Sequence, residues 1–173
     1  MLEYKEKIKY LAENQINEMF FNTDTEHAMI VLTELVKNAK NYVYIVGKNM
    51  DPAVTDNEDY LRAVEDFLKK ENAKMKILLT NYDKEKFGNS KIGELLKKNK
   101  SPAIEIKHSQ NKQVKSNDIP INFTVSDGRA YRFERDIDKH IAFGNFKDTE
   151  TATVLTETFE QLFASEQCIS VQF

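Results

Sequence analysis

Apolar, strand-like segments alternate with helix-like segments through the first half of the chain, and this alternation limits the folds open to it. Three segments are short and apolar, as buried strands are: NYVYIVGKN (41–49), AKMKILLTN (73–81) and PAIEIKH (102–108). Amphipathic helices are predicted before and between them, at residues 22–40, 58–70 and 90–100. Alternation of this kind builds βαβ crossovers, so we predict an α/β fold with a mixed, mainly parallel sheet and helices on both faces.

The remaining segments extend this pattern at both ends. Helices are predicted from the N-terminus to about Phe21 and at residues 148–167, and residues 168–173 alternate like a last strand. KHIAFGNF (139–146) is apolar but of undefined type, and SQNKQVKSND (109–118) is typical of a surface connection. The length of 173 residues predicts a single domain, 1–173, with an N-terminal helix at 1–22 and a core at 23–173.

The segment PINFTVSDGRAYRFE (120–134) predicts a β-hairpin around Asp127-Gly128. Asp-Gly suits a two-residue turn that needs positive φ at both positions. Such a turn pairs Ser126 with Arg129 and places six side chains on one face: Ile121, Phe123, Val125, Ala130, Arg132 and Glu134. A register shifted by one residue would reverse the faces.

Arg132 and Glu134 are charged residues on this predicted apolar face, so they need partners. One interpretation places them near the sheet edge, paired with each other or with a helix terminus. The other points Arg132 into a pocket, where its guanidinium binds an anion.

Composition narrows the classes of function. The formal charge of −3 argues against a broadly basic nucleic-acid binder. A local basic patch stays open beside a solvated helix face, on the lysines of one predicted helix: Lys91, Lys97, Lys98 and Lys100. No P-loop and no zinc-ligand spacing occurs, so no metal and no cofactor are expected. A single cysteine, Cys168, excludes an internal disulfide, and with a charged N-terminus and no apolar run of membrane-spanning length it predicts a cytoplasmic protein.

Two histidines are candidates for chemistry. His108 ends a predicted strand, and ligands of open α/β sheets favour the carboxyl ends of strands. His140 lies near Lys139 and Asn145 in the sequence. His27, in the first turn of a helix, is more typical of a surface histidine.

The order of these elements, with INFTVSDGRAYRFE (121–134), AFGNF (142–146) and the helical segment VLTETFEQLFASE (154–166), resembles a single phospholipase D-like domain. The resemblance extends from about Glu26 to Glu166. The active motif of that superfamily is His-x-Lys followed after four residues by Asp. When the motif is aligned on Asp127-Gly128, Pro120 takes the position of the histidine and Asn122 that of the lysine. The later Gly-Ser-x-x-Asn element of the superfamily is matched at most in part, by Gly144-Asn145.

The resemblance therefore implies a catalytically degenerate domain. In the family the histidine attacks phosphorus and the lysine neutralises charge, and neither proline nor asparagine can replace them. The implied function is a binding, interaction or regulatory module, in bacterial defence or transcription for example, for a phosphate-bearing ligand, a nucleic acid or a protein. Four residues are candidates for phosphate binding: Arg132, Asn122, Asn145 and Lys139. Active members pair two such domains face to face, which implies a homodimer.

The alternative is a phosphodiesterase or nuclease of this class with a relocated site. Its candidate catalytic residues are His140, His108 and Glu134. Such an enzyme needs a histidine within hydrogen-bond reach of a carboxylate, beside a cationic pocket.

Overall fold

A computed structural model gives the fold and describes residues 1–99, 101–110, 115–116 and 119–172. Its helices are α1 (Leu2–Glu13), α2 (Thr25–Asn38), α3 (Pro52–Thr55), α4 (Glu58–Leu68), α5 (Lys84–Asn89), α6 (Lys91–Asn99) and α7 (Thr149–Phe163). Its strands are β1 (Phe20–Asn22), β2 (Tyr42–Gly47), β3 (Lys74–Leu79), β4 (Ile104–Ser109), β5 (Lys115–Ser116), β6 (Ile119–Pro120), β7 (Asn122–Ser126), β8 (Ala130–Asp136), β9 (Ile141–Asn145) and β10 (Cys168–Ser170). Lys100 and much of the connection predicted at residues 109–118 lie outside the described residues.

Eight strands form one sheet in the order β1-β9-β8-β7-β2-β3-β4-β10. Within it β2 pairs in parallel with β3, and β3 with β4, while the other described neighbours are antiparallel. The predicted mixed α/β sheet is confirmed, but the prediction that it is mainly parallel is wrong. The alternating first half builds only the parallel centre, whereas the β7–β8 hairpin and the short strands β1, β9 and β10 add antiparallel neighbours.

Helices cover both faces of the sheet, as predicted. One core joins α1, α2, α4 and α6 to the face of the sheet that carries Ile45 and Ile77. The other joins α7 to the opposite face, where Phe159 packs with Tyr44 and Phe123. Burial of a side chain of this size contributes about 1.5–3 kcal/mol to stability, so both layers hold the sheet in place.

The N-terminal segment differs from its prediction. The helix predicted to Phe21 ends at Glu13, and Gln15 follows with a φ of 50°, a conformation that cannot continue a helix. Residues 20–22 instead form β1, which pairs with β9 at the edge of the sheet. Phe20, an apolar residue of the predicted helix, belongs to this strand and packs on Phe146 with ring centroids 5.0 Å apart.

The hairpin has the predicted turn but a different register. Asp127 and Gly128 have φ angles of 52° and 60°, and the Arg129 N–H donates to the Ser126 carbonyl at 3.1 Å. Ser126 nevertheless pairs with Ala130 rather than Arg129, because Arg129 stays in the turn as an additional residue.

This shift of one residue changes the faces of β7 and β8. The polar residues now share one face, Asn122 opposite Glu134 and Thr124 opposite Arg132, while Phe123 lies opposite Phe133 on the other. The predicted face that combined Phe123 with Arg132 and Glu134 is therefore wrong. The predicted position near the sheet edge is also wrong, because β8 lies between β7 and β9.

Candidate functional site

A cavity of about 770 Å³ opens where β2 and β3 end, the position at which open α/β sheets bind ligands. Its walls come from the loops after these strands, from α3 and α5, and from the polar face of β7 and β8. Four residues predicted as candidate site residues line it: Asn122, Arg132, Glu134 and His140. We call this cavity the strand-end pocket.

Arg132 and Glu134 form a buried ion pair in the wall of the strand-end pocket. An Arg132 Nη atom lies 3.0 Å from Glu134 Oε1, and Arg132 Nε donates to Asn22 Oδ1 at 2.8 Å. The guanidinium also donates to the His140 carbonyl at 3.3 Å. Burial lowers the pKa of Arg132, and the carboxylate of Glu134 opposes that shift. The two residues therefore pair with each other, as the first interpretation expects, and Arg132 lines a pocket, while anion binding by its guanidinium stays a prediction.

His140 lies between two carboxylates. Its Nδ1 is 3.1 Å from Glu134 Oε1 and its Nε2 is 3.2 Å from Asp51 Oδ2. Both contacts are hydrogen bonds only when both ring nitrogens carry a proton. Its carbonyl accepts a hydrogen bond from the Asn22 side-chain amide, so backbone and ring are both fixed. His140 and Met50 have positive φ angles of 55° and 54°, a conformation that is uncommon outside glycine.

Asn122 contributes an unpaired acceptor. Its Nδ2 donates to Glu134 Oε2 at 3.0 Å. Asn122 is only 7% exposed. Among the described residues, its Oδ1 is the one buried side-chain polar atom with no hydrogen-bond partner. Turning the amide over would place Oδ1 against Glu134 Oε2, two acceptors face to face, so the assignment is fixed by its neighbour.

Three helices begin at the strand-end pocket, and a carboxylate caps each of them. Asp51 accepts from Ala53 N at the start of α3, and Asp83 accepts from Lys86 N at the start of α5. Asp56 accepts from the first two N–H groups of α6, at 3.0 and 3.1 Å. On the opposite rim, Asp138 pairs with Lys48 at 2.5 Å, and the hydrogen bond and charge of that lysine lower the pKa of the Asp138 carboxyl.

The other candidate residues lie outside this pocket. Asn145 donates to Asn17 Oδ1 at 2.8 Å and accepts from Lys147 N. Lys139 lies on an exposed turn, 3.8 Å from Asp136. His108 stacks on Tyr82, a wall residue, with centroids 5.1 Å apart, but does not itself line the pocket. The structure thus brings His140 together with Glu134 and separates both from His108.

Sequence reasoning missed Asn22 and Asp51, which bond to Arg132 and His140 across 110 and 89 residues of sequence. Asp51 carries a readable local signal, since Asp before Pro at a helix start is typical of an N-cap. No local signal connects Asn22 to the site, because it was assigned to a helix end rather than to an edge strand.

Asp127, in the turn between β7 and β8, does not line the pocket. Its carboxylate accepts three backbone N–H groups at the start of β2, from Lys40, Asn41 and Tyr42, at 2.7, 2.9 and 3.0 Å. It therefore ties the β7–β8 turn to the central strand, which is a structural role.

Solved structures with a similar architecture show which fold the protein has. An archaeal chromatin protein, TrmBL2, described as showing a novel mode of DNA binding, superposes with a TM-score of 0.61 at 17% identity over 98% of this chain and 62% of its own. NucT from Helicobacter pylori gives 0.59 at 16% identity, over 90% of this chain and 99% of that one. The phospholipase D family member Nuc from Salmonella typhimurium gives 0.58 at 11%, over 90% and 100%. The protein has a phospholipase D-like fold, and at these identities the likeness shows the fold alone.

A match to a sequence family identifies the family of this chain. The chain belongs to the family described as a domain of unknown function, DUF7931, which it matches over residues 24–171. No curated protein matches it by sequence comparison.

No helix in the described ranges is long and apolar enough to cross a membrane. Within the same part of the chain, no group of three or more His, Cys, Asp or Glu side chains is arranged to hold a metal ion.

Proposed function

We propose that the chain is a binding or regulatory module of phospholipase D-like fold that holds a small ligand in the strand-end pocket and does not cleave phosphodiesters. The observation that carries this proposal is the state of Arg132. This buried guanidinium is neutralised by Glu134 and further engaged by Asn22 and the His140 carbonyl. A cation held in this way cannot neutralise the charge that develops on a phosphoryl group.

The motif positions support the same proposal. Superfamily chemistry needs a nucleophilic histidine and a cationic lysine, and the aligned positions carry Pro120 and Asn122. Proline has no nucleophilic side chain, and Asn122 lies in the pocket wall bonded to Glu134. At these two positions the chain therefore carries neither the nucleophile nor the cation that this chemistry requires.

The direct test is a paired assay of hydrolysis and binding on the same preparation. The chain is incubated with bis(p-nitrophenyl) phosphate and with plasmid DNA, and a metabolite panel is screened by the shift in thermal unfolding midpoint. We expect no hydrolysis above the buffer rate and at least one stabilising ligand whose effect is lost on Asp51→Asn. Hydrolysis that survives further purification, or a panel that includes no stabilising ligand, would count against the module.

The position of His140 favours one second candidate, a phosphodiesterase or nuclease with a relocated site. Its Nδ1 is oriented by Glu134 at 3.1 Å and its ring lines the pocket, which is the arrangement of a histidine base or nucleophile with its orienting carboxylate. The matched variants are His140→Ala and His108→Ala. The second candidate requires hydrolysis that His140→Ala abolishes and His108→Ala leaves intact, because His108 lies outside the pocket wall.

Partners are part of the proposal. A homodimer follows from the pairing of domains in active superfamily members, and light scattering on the purified chain tests it by a mass of twice 20.1 kDa. A nucleic-acid partner follows from the description of the archaeal neighbour as a DNA-binding chromatin protein. Fluorescence anisotropy with a labelled duplex tests it, and binding through Lys91, Lys97 and Lys98 of α6 must weaken as salt rises.

A further inference from the structure

We infer that the ligand of the strand-end pocket is a small molecule bearing a protonated primary amine, which the pocket selects over a phosphate. The inference rests on the proposed function, because it names the ligand class of the same pocket. Three independent features of the wall carry it: the balance of charge, the capped helix starts and the unpaired acceptor.

The charge balance of the wall is negative. Three cationic side chains line the pocket, and each already faces a carboxylate of the same wall: Lys48 with Asp138, Arg132 with Glu134 and Lys86 with Asp83. Two further carboxylates, Asp51 and Asp56, have no such cationic partner among lysines and arginines of the described wall. A protonated His140 offsets one of these two charges, so the excess stays negative in either state of that ring.

The helix starts do not offer an anion site. Free N–H groups at the beginning of a helix attract phosphate. At this pocket the starts of α3, α5 and α6 are occupied by the carboxylates of Asp51, Asp83 and Asp56. A phosphate would have to displace a carboxylate and approach the others, whereas an ammonium group meets carboxylates that are already fixed in place.

The unpaired acceptor identifies the donor that is missing. Asn122 Oδ1 has no partner, and its amide cannot turn over because Nδ2 is held by Glu134. A buried acceptor of this kind is stabilised by an N–H or O–H donor and destabilised by an oxygen that carries no proton, such as that of a phosphate. The three N–H groups of a primary ammonium suffice for Asn122 and a carboxylate together, but Asn122 Oδ1 is closed to solvent, so the wall must adjust around the ligand for both contacts to form.

Asp51 is the carboxylate best placed to share the ammonium. Its side chain is half exposed, its Oδ1 caps α3, and its Oδ2 faces His140 Nε2 at 3.2 Å. Asp51→Asn keeps an oxygen for the cap, removes the charge, and replaces the second carboxylate oxygen by an amide NH₂. Tyr82 adds an aromatic ring to the same wall, and a cation can lie against such a ring.

The experiment is a titration by isothermal calorimetry or ligand-observed NMR with four probes that differ only in the polar group on one benzyl ring. Benzylamine carries an ammonium with N–H donors, and benzyltrimethylammonium carries the same charge without donors. Benzyl phosphate is the anion, and benzyl alcohol is neutral. We expect benzylamine to bind at least ten-fold more tightly than the other three, and to weaken as ionic strength rises.

The variants separate the features of the wall. Asp51→Asn and Asn122→Leu should each weaken benzylamine ten-fold or more, as expected for loss of a charge-assisted hydrogen bond. Asp138→Asn is the matched control: it removes a carboxylate that already faces Lys48 and should change the affinity less than three-fold. Circular dichroism establishes that each variant is folded before it is titrated.

Several outcomes overturn the inference. Benzyl phosphate binding as tightly as benzylamine refutes the charge argument, and benzyltrimethylammonium binding as tightly refutes the donor argument. An equal loss in Asp51→Asn and Asp138→Asn shows only a general attraction to negative charge. If benzylamine does not bind but another ligand stabilises the protein, the amine inference fails and the proposed binding module stands. Phosphodiester hydrolysis overturns the binding module, and the amine titration then decides separately whether the pocket prefers an ammonium group.

Discussion

Removing the Asp127 carboxylate tests whether this turn residue stabilises the scaffold. The group is almost fully buried and accepts three N–H groups of the segment that opens β2, from Lys40, Asn41 and Tyr42. Asp127 also has a φ of 52°, in the region where Asn and Asp are tolerated and Ala is not. Asp127→Asn and Asp127→Ala therefore separate the contribution of the carboxylate's charge from the contributions of its hydrogen bonds and of the positive φ.

The magnitudes follow from these contacts. Hydrogen bonds to a charged group contribute about 1.5–3 kcal/mol each, but Lys40 and Asn41 are exposed and their N–H groups regain water. Counting the Tyr42 bond in full, the others in part, and about 1 kcal/mol for left-handed strain gives roughly 3–5 kcal/mol for Asp127→Ala. Asp127→Asn keeps an oxygen for Asn41 and Tyr42 and tolerates the φ angle, so about 1–2 kcal/mol is expected.

Urea unfolding followed by circular dichroism measures both values. With a slope of about 2 kcal/mol per molar, Asp127→Ala should lower the midpoint by about 2 M and Asp127→Asn by less than 1 M. Asp66→Asn, an exposed carboxylate 3.1 Å from Lys69, is the control and should leave the midpoint unchanged. Wild-type stability in Asp127→Ala, combined with loss of ligand binding, would refute the structural role and return Asp127 to the functional site.

Glu134→Gln should destabilise the fold by about 3–5 kcal/mol in urea unfolding, because it leaves the Arg132 charge buried without its counter-ion. Gly144→Ala should destabilise by about 1–3 kcal/mol, since a Cβ there would lie 2.2 Å from a backbone carbonyl, whereas Gly88→Ala, with open space around it, should not. Burial raises the pKa of Tyr60 above its usual value of 10.0, so the folded state holds the phenol neutral while the unfolded state ionises, and stability falls as pH rises above that value. In Tyr60→Phe, the free energy of unfolding from urea titrations should fall less steeply above about pH 10, by up to about 1.4 kcal/mol per pH unit.

Local patterns predicted the centre of the fold because the centre is made of local signals. β2, β3 and β4 are apolar segments between amphipathic helices, and Asp127-Gly128 has the φ angles that its residue types favour. The errors lie where a tertiary contact decides the outcome. Phe20 joins an edge strand rather than a helix because it pairs and packs with the β9 region, and nothing within the segment encodes that partner.

The candidate site was predicted in part for the same reason. Asn122, Arg132 and Glu134 are close in sequence, and His140 follows a few residues later, so a hairpin and its next strand bring all four together. The one-residue register shift was open to sequence reasoning only as an alternative, because Arg129 fits equally well in a strand or a turn. The partners that complete the site come from β1 and the loop before α3, which no spacing rule connects to the hairpin.

Several features that cost stability lie in the strand-end pocket, although two further residues with positive φ, Gln15 and Asp127, lie outside it. Asn122 has an unsatisfied buried oxygen, Met50 and His140 adopt left-handed backbone conformations, and the wall carries more carboxylates than cations. A scaffold kept only for its fold gains by removing each of these, since a buried orphan acceptor alone costs about 1–3 kcal/mol. Asp127 lies outside the pocket, and its carboxylate satisfies three backbone donors. Strain and unpaired polar groups collect where a protein binds its ligand. The carboxylate of Asp127 thus stabilises the scaffold, whereas the strand-end pocket retains strained and unpaired groups, which is the pattern that the proposed binding module predicts.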